Sequence, residues 1–239
     1  MRPKVAKRRA SLTAGDRKLA AALVAHYAGK RNLFEVMLAQ LNSVIQGAPA
    51  LMKYVHSTKS RVKDDEHLQD KLLRKMIIAK EKNQKFNITE NNLFSRMNDL
   101  AGYRILHLHT QQMDDINREL RAVLNEYRYT IVGEPSARTW DDEHRQYFNS
   151  LGIKTIKSPT MYTSVHYIIK PNNRTGGRCE IQVRTLAEEL WGEVDHTMNY
   201  PHPSPSPACR EQIKVLARIT SSCSRLVDSI FETARTHKP

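Results

Sequence analysis

Two groups of side chains have the types and spacing to handle phosphate. In the run Cys179-Glu180-Ile181-Gln182-Val183-Arg184, Ile181 and Val183 fall on one face and Glu180, Gln182 and Arg184 on the other. That is the pattern of a half-buried strand, so a carboxylate, an amide and a guanidinium project together from its end. Far upstream, Arg61 and Lys63 stand just before a segment whose Lys71, Arg74 and Lys75 lie on neighbouring helical turns. If the intervening turn folds back, these cations converge. Several cations around one spot repel each other unless an anion arrives, and a triphosphate is such a ligand. Either group, taken alone, also reads as an ordinary solvated face.

The elements that would position them can be read from periodicity. Thr185 caps a helix after the strand, with Glu188 three residues on completing a capping box. The apolar stripe of that helix is Leu186, Leu190, Val194 and Met198, with Trp191 beside it. Leu68, Leu72, Leu73, Met76 and Ile77 give residues 65–82 the apolar face of a helix. Asn98-Asp99-Leu100-Ala101-Gly102-Tyr103-Arg104-Ile105 leads into a buried strand, with Asp99 at its entrance and Ala101-Gly102 permitting close backbone approach. Residues 111–127 read as an amphipathic helix and 129–132 as a short strand. Residues 133–156 read as a loop with a helical piece. The end of the segment from Lys157 to Ile169 reads as a strand, joined to the Glu180 strand by an Asn- and Gly-rich hairpin turn over 172–177.

The termini read as attachments. Residues 1–10 form a basic tail. Residues 11–28 and 32–55 read as two helices packed as a hairpin, the first capped by Ser11 or Thr13, the second with Leu33, Val36, Met37, Leu41 and Val44 at helical spacing. A Pro-rich linker over 201–207 precedes a last helix over 209–234, with Ile213, Leu216, Ile219, Leu226, Val227 and Ile230 inward. Three units follow: a tail and helical hairpin (1–56), a central domain (57–200), and a linker with its helix (201–239).

The chain has 239 residues, 38 of them Lys or Arg against 25 Asp or Glu, a formal charge of +13. Such a balance points to a polyanionic partner: nucleotide phosphates, RNA or an anionic membrane surface. Cys179, Cys209 and Cys223 show no metal-binding spacing and cannot all pair, which suits a reducing, cytoplasmic compartment. The short apolar run 19–25 is flanked by charge and reads as amphipathic helix, and no stretch approaches a membrane span.

Taken together, the motifs resemble the RelA/SpoT-type nucleotide pyrophosphokinases. The family pattern E-I-Q-I/V-R-T followed by W-x-E-x-D/E-H-x-x-x-Y is similar to Glu180–Thr185 and Trp191–Tyr200. The order R-x-K, then K-x-x-K/R-K, is similar to the family's ATP-phosphate element, and Asp99 to Arg104 to its D-I/L-A-G-x-R element. Lys157 to His166 resembles the K-P-x-G-Y loop that lays a tyrosine under the acceptor base. Tyr162, Ser164 and His166 match there; Met161 replaces the usual glycine, Thr163 stands where many members have arginine, and Lys157 lies one residue further from the tyrosine.

The resemblance implies an α+β fold: a mixed five-stranded sheet flanked by helices, of the nucleotidyltransferase-like kind. It implies transfer of the β,γ-pyrophosphate of ATP to a ribose 3′-hydroxyl of GDP or GTP, giving (p)ppGpp and AMP. Asp99 and Glu180 would hold Mg2+, with Glu180 also the base. Arg61, Lys63, Lys71, Arg74, Lys75 and Arg104 would hold ATP; Tyr162, Ser164, His166, Gln182 and Arg184 would serve the acceptor, Arg184 alternatively buttressing the strand. No His-Asp hydrolase motif accompanies the element, so a synthetase-only protein is expected. Two alternatives stay open. One is the same chemistry on an adenine nucleotide or on the 3′ end of tRNA, as in toxic members, with an antitoxin or a second copy bound through the terminal helices. The other is an inactive nucleotide- or RNA-binding domain.

Overall fold

The computed structural model describes residues 11–172, 176–199 and 204–237. The basic tail, the centre of the expected 172–177 turn, Tyr200 and the first three residues of the Pro-rich linker lie outside the described residues.

The elements follow in the order α1 (Ala14–Ala28), α2 (Arg31–Gln46), α3 (Pro49–Met52), β1 (Ser57–Val62), α4 (Asp65–Glu81), α5 (Leu93–Arg96) and β2 (Ala101–His107). A 3-10 turn (Thr110–Gln112) leads into α6 (Met113–Glu126), then β3 (Thr130–Ile131), β4 (Ser136–Thr139), α7 (Asp142–Ser150), β5 (Lys154–Lys157), β6 (Ser164–Lys170), β7 (Cys179–Thr185), α8 (Leu186–Asn199) and α9 (Pro207–Thr236). One mixed sheet holds the strands in the order β1-β2-β7-β6-β4-β5, with β3 also paired to β6. The pairs β2–β7 and β4–β5 are parallel and the others antiparallel.

The mixed α+β class agrees with the sequence, but among the described residues the sheet has seven strands rather than five. Strand β1 reads Ser-Thr-Lys-Ser-Arg-Val and is held by its ladder to β2, not by burial, so it carries no alternating apolar signal. Strands β4 and β5 are four residues each and bracket α7 within the stretch read as a loop with a helical piece.

The two faces of the sheet differ sharply. Tyr103, Ile105, Val165, Tyr167, Ile169, Ile181 and Val183 point into one continuous core with the inner sides of α1, α2, α4 and α6. The opposite face is polar. Across it, Lys59, Arg104, Gln182, His166, Ser136 and Lys154 form one row of paired residues, and Arg61, Gly102, Glu180 and Ile168 another.

Helix α1 is closed by a capping box, Thr13 Oγ1 accepting from the Asp16 N–H at 3.2 Å. It packs against α4, while α2 lies on β1 and β2; the two touch through the Tyr27 and Phe34 rings, so no free-standing hairpin forms. The buried stripe of α2 is Phe34, Met37, Leu38, Leu41 and Ile45, rotated from the expected one, with Leu33 and Val36 exposed. Helices α8 and α9 also turn unexpected sides inward. On α8, Glu188, Glu189 and Trp191 are buried while Leu190 and Met198 are exposed. On α9, Ile213, Ala217, Thr220, Ser221 and Ser224 are buried while Ile219, Leu226 and Ile230 face outward. The reason is polar pairing: Ser221 and Arg225 bind Asp141, Asp228 binds His109, and Ser224 meets Thr185. No helix among the described residues is long and apolar enough to cross a membrane.

Candidate active site

Asp99 lies in the turn before β2, and its carboxylate is gripped from two directions. Lys63 reaches Oδ2 at 3.0 Å and Lys71 reaches the same oxygen at 2.7 Å. Local folding sets this up. The Lys63 N–H donates to the Leu100 carbonyl at 2.9 Å, tying the end of β1 to the start of β2. Asp64 then caps α4, accepting from the His67 N–H at 2.8 Å. The first turns of α4 therefore present His67, Lys71 and Arg74 on one side. Burial opposes ionisation of Asp99, but the two lysines outweigh it and lower its pKa to about 2. The second oxygen, Oδ1, is buried without a hydrogen-bond partner.

Glu180 stands on β7, in register with Gly102 of β2. Gly102 stands between Arg61 of β1 and Glu180 in the same row, and a Cβ there would meet the Arg61 side chain at an ordinary 3.7 Å contact. His166 Nδ1 lies 3.1 Å from Glu180 Oε1, and the Gln182 amide donates to Oε2 at 2.8 Å. The Tyr162 hydroxyl lies 3.3 Å from His166 Nε2. His166 thus bridges the two, with Nδ1 towards the Glu180 carboxylate, which can only accept, and Nε2 towards the Tyr162 hydroxyl. Burial again opposes ionisation, and the bonds from His166 and Gln182 outweigh it, holding Glu180 below its ordinary pKa against a repulsive contribution from Asp99.

Two adjoining hollows open on these carboxylates. One, of about 220 Å³, is lined by Arg61, Lys63, His67, Lys71, Arg74 and Asp99. The other, of about 360 Å³, is lined by Lys59, Arg61, Asp99, Arg104, Glu180, Gln182 and Glu193. His196 borders both, as do Arg61 and Asp99. Asp99 thus borders both of two adjoining cation-lined cavities on the open face of a mixed sheet, and Glu180 lines the larger of them. The family model for the region found in RelA/SpoT proteins matches residues 60–204, which contain both.

This chain belongs to the RelA/SpoT family.

Within that family, it is 28% identical to the GTP pyrophosphokinase YjbM of Bacillus subtilis (strain 168) over 142 residues, 57% of this chain and 57% of the relative. The match therefore spans less than two thirds of that relative's length. Among solved structures, a GTP pyrophosphokinase family protein from Streptococcus pneumoniae aligns with TM-score 0.63 at 18% identity, over 89% of this chain and 98% of that one. Small alarmone synthetase 1 from Bacillus subtilis, bound to its product pppGpp, aligns with TM-score 0.61 at 22% identity, over 89% of this chain and 100% of that one. These likenesses show a shared fold.

The RelA/SpoT motif residues do not all converge. Arg61, Lys63, Lys71, Arg74, Arg104, Asp99, Glu180 and Gln182 line the hollows. Lys75 is exposed on α4 and lines neither. Arg104 is engaged by Glu189 at 3.1 Å and by Glu193. Ser164 is buried and donates to the Val183 carbonyl at 3.3 Å, shaping the loop. Arg184 is 4% exposed, paired with Glu189, and lies under the Tyr162 ring with its guanidinium carbon 5.7 Å from the centroid. It buttresses the tyrosine rather than facing either hollow. Its space depends on Gly192 of α8, where an added Cβ would come 2.6 Å from the guanidinium. Thr163 is buried against Thr139, hydroxyl to hydroxyl at 3.0 Å, and Met161 packs beside Trp191 and Tyr162.

Several lining residues carry no role in the sequence reading. Glu193 and His196 belong to the W-x-E-x-D/E-H element itself, so their signal was present. Glu189, buried behind the lining, ties Lys59 at 2.9 Å as well as Arg104 and Arg184 and gave no signal: an acidic residue in a first helical turn is ordinary. As for a metal, no cluster of three or more His, Cys, Asp or Glu residues forms a cage among the described residues. A magnesium ion needs only one or two carboxylates when phosphates and water complete its shell, and Asp99, with its unpartnered Oδ1, and Glu180, lining the same hollow, fit that need.

Proposed function

We propose that this chain is an ATP-dependent pyrophosphokinase that moves the β,γ-pyrophosphate of ATP to the ribose 3′-hydroxyl of GDP or GTP, releasing AMP. The observation that carries the reading is that Asp99 borders both hollows and Glu180 lines the larger, each carboxylate held ionised by a different set of partners. The names of the relative and of the structural neighbour support the same chemistry.

The residues divide the task. Lys63, Lys71, Arg61 and Arg74 bind the triphosphate and hold it in line for attack. As it arrives it draws Lys63 and Lys71 away from Asp99, freeing Oδ2 beside the unpartnered Oδ1. Asp99 and Glu180 together would hold Mg2+, which when bound neutralises phosphate charge and stabilises the leaving oxygen. Glu180 accepts the proton of the acceptor hydroxyl, with His166 and Gln182 fixing its orientation. Tyr162, backed by Arg184, offers its ring to the acceptor base.

Incubation with γ-labelled ATP and a panel of GDP, GTP, ATP and deacylated tRNA tests the reading. Label is expected in GDP and GTP products. Label only in an adenine nucleotide or tRNA would move the acceptor assignment, and no label in any acceptor would refute the activity.

A further inference from the structure

Arg184, which supports the acceptor tyrosine, has a second neighbour that the proposed reaction leaves unused. Where the ends of β2 and β7 meet the first turns of α7 and α8, a cavity of about 20 Å³ is lined by Arg184, Glu188, His144 and His107, among others. Arg184, Glu188 and His144 are each 4% exposed, and each carries a buried polar atom without a hydrogen-bond partner: Nε, Oε1 and Nδ1. Leaving one such atom unpaired is costly, and three of them at one small cavity call for a shared partner. The cavity has room for one water, which both donates and accepts and so can join the three.

Glu188 is the unexpected member. Its N–H donates to Thr185 Oγ1 at 3.2 Å, the backbone half of the expected capping box, but its side chain is buried. Burial pushes the carboxyl up to about 8, against the pull of Arg184 and with the help of Asp141, so it is the neutral acid at neutral pH. The other titratable groups around it are settled. Asp141, capping α7, is bound by Ser221 and Arg225 of α9. Burial lowers the pKa of His144, and that of His107 to about 4, so neither ring is charged. On α8 itself, Glu189 pairs with Arg184. The Arg184 guanidinium is thus shared between Glu189, the Tyr162 ring and this cavity.

We propose that Glu188 is a positioning residue for the acceptor side: through a single water in this cavity it holds Arg184 beneath the Tyr162 ring. This rests on the acceptor role of Tyr162 given above. An uncharged Glu188 supports the guanidinium without competing for it. An ionised Glu188 competes with Glu189, draws the guanidinium off the ring and weakens the platform.

The test is equilibrium binding of GDP to wild type, Glu188→Gln and Glu188→Leu between pH 5 and 9, by calorimetry, with melting temperature and transfer from ATP followed in parallel. Comparison with the glutamine form at each pH cancels titration of the nucleotide itself. Relative to that form, wild type should lose about threefold to tenfold in GDP affinity as pH rises past about 8. Glu188→Leu, close in volume but unable to bond a water, should bind GDP about threefold to tenfold more weakly than the glutamine form at every pH. The folded carboxyl titrates above its ordinary 4.5, so the stability it contributes is complete below 4.5 and lost as pH rises through about 8. The glutamine form should therefore gain in melting temperature over wild type across that window. An affinity ratio between wild type and the glutamine form that is flat in pH, equal GDP affinity in the leucine and glutamine forms, or a melting difference independent of pH would each overturn the proposal. A flat ratio in a chain that still transfers pyrophosphate to GDP would remove the role of Glu188 alone. A chain that neither binds GDP nor transfers to it would remove the acceptor reading, and this role with it.

Discussion

On the side of the site formed by β1 and α4, one carboxylate is surrounded by mobile charge: Asp99 sits between Lys63 and Lys71, with Arg61 and Arg74 bordering the same hollow. On the side formed by β6 and β7, the other carboxylate is held by a hydrogen-bonded chain, Tyr162 to His166 to Glu180, with the Gln182 amide donating to its second oxygen. Both carboxylates are kept ionised, one by Coulombic pairing and the other by hydrogen bonds. The first arrangement is suited to change when an anion arrives, because phosphate competes directly for the same ammonium groups. The second is suited to stay as it is, because a proton acceptor must already be oriented when the hydroxyl approaches. Breaking each side separately should therefore give different kinds of defect.

The largest effect should come from Glu180→Gln. It preserves shape but removes the charge needed for proton transfer and cation binding, so transfer should fall by more than about a hundredfold. ATP affinity measured without metal should change little. Turnover within about tenfold of wild type, roughly 1.4 kcal/mol in barrier, would show that Glu180 is not the base.

Next, Lys63→Ala with Lys71→Ala should weaken ATP binding by about tenfold to a hundredfold and leave acceptor binding nearly unchanged. Each phosphate contact is worth about 1.5–3 kcal/mol, but part of that is offset by the Asp99 pairs broken on binding. Unchanged ATP affinity by calorimetry would make the basic side of α4 mere solvated surface.

A smaller and more selective effect should separate the ring of Tyr162 from its hydroxyl. Tyr162→Ala removes the stacking platform and should cost the acceptor about tenfold in affinity. Tyr162→Phe keeps the platform but leaves His166 Nε2 without its hydroxyl partner, so it should lower kcat more than it raises the acceptor KM. Equal loss of both substrates in the alanine form would make Tyr162 a packing residue for Trp191 instead.

The smallest effect is on stability. The folded pKa of Asp99 is depressed from 3.8 to about 2, so its contribution is complete above 3.8 and is lost as pH falls through about 2. That contribution is about 2 kcal/mol at neutral pH. Asp99→Asn should therefore melt below wild type at pH 6, with the difference shrinking as pH falls from about 4 towards 2. A difference independent of pH over that range would mean that the two lysines do not stabilise the ionised carboxylate.

The contrast between the two sides also explains what could be read from the chain alone. Asp99, Lys63, Lys71 and Glu180 stand in short local elements, R-x-K with the helix after it, D-L-A-G, and the alternating strand, so the family resemblance of those elements singles them out where spacing alone leaves solvated faces. Strand pairing across long separations has no such local mark. Strands β1 and β5 bury too little to alternate visibly, and β4, although it buries Ala137 and Thr139, is only four residues long. The faces of α8 and α9 were misjudged for a related reason. Each turns polar groups inward to meet charge already there, Glu189 towards Lys59, Arg104 and Arg184, and Ser221 and Arg225 towards Asp141. An apolar stripe marks the inward side of a helix only when what it packs on is apolar.

The central claim is that these two carboxylates direct a pyrophosphoryl group, not a single phosphoryl group, to an acceptor hydroxyl. Incubating the wild-type chain with Mg2+, GDP and ATP labelled separately at the β and γ positions tests it most directly. The account predicts that both labels enter the guanine product together, with one AMP released per product formed. Transfer of the γ label alone with release of ADP, or release of both labels as free pyrophosphate without a labelled guanine product, would contradict it.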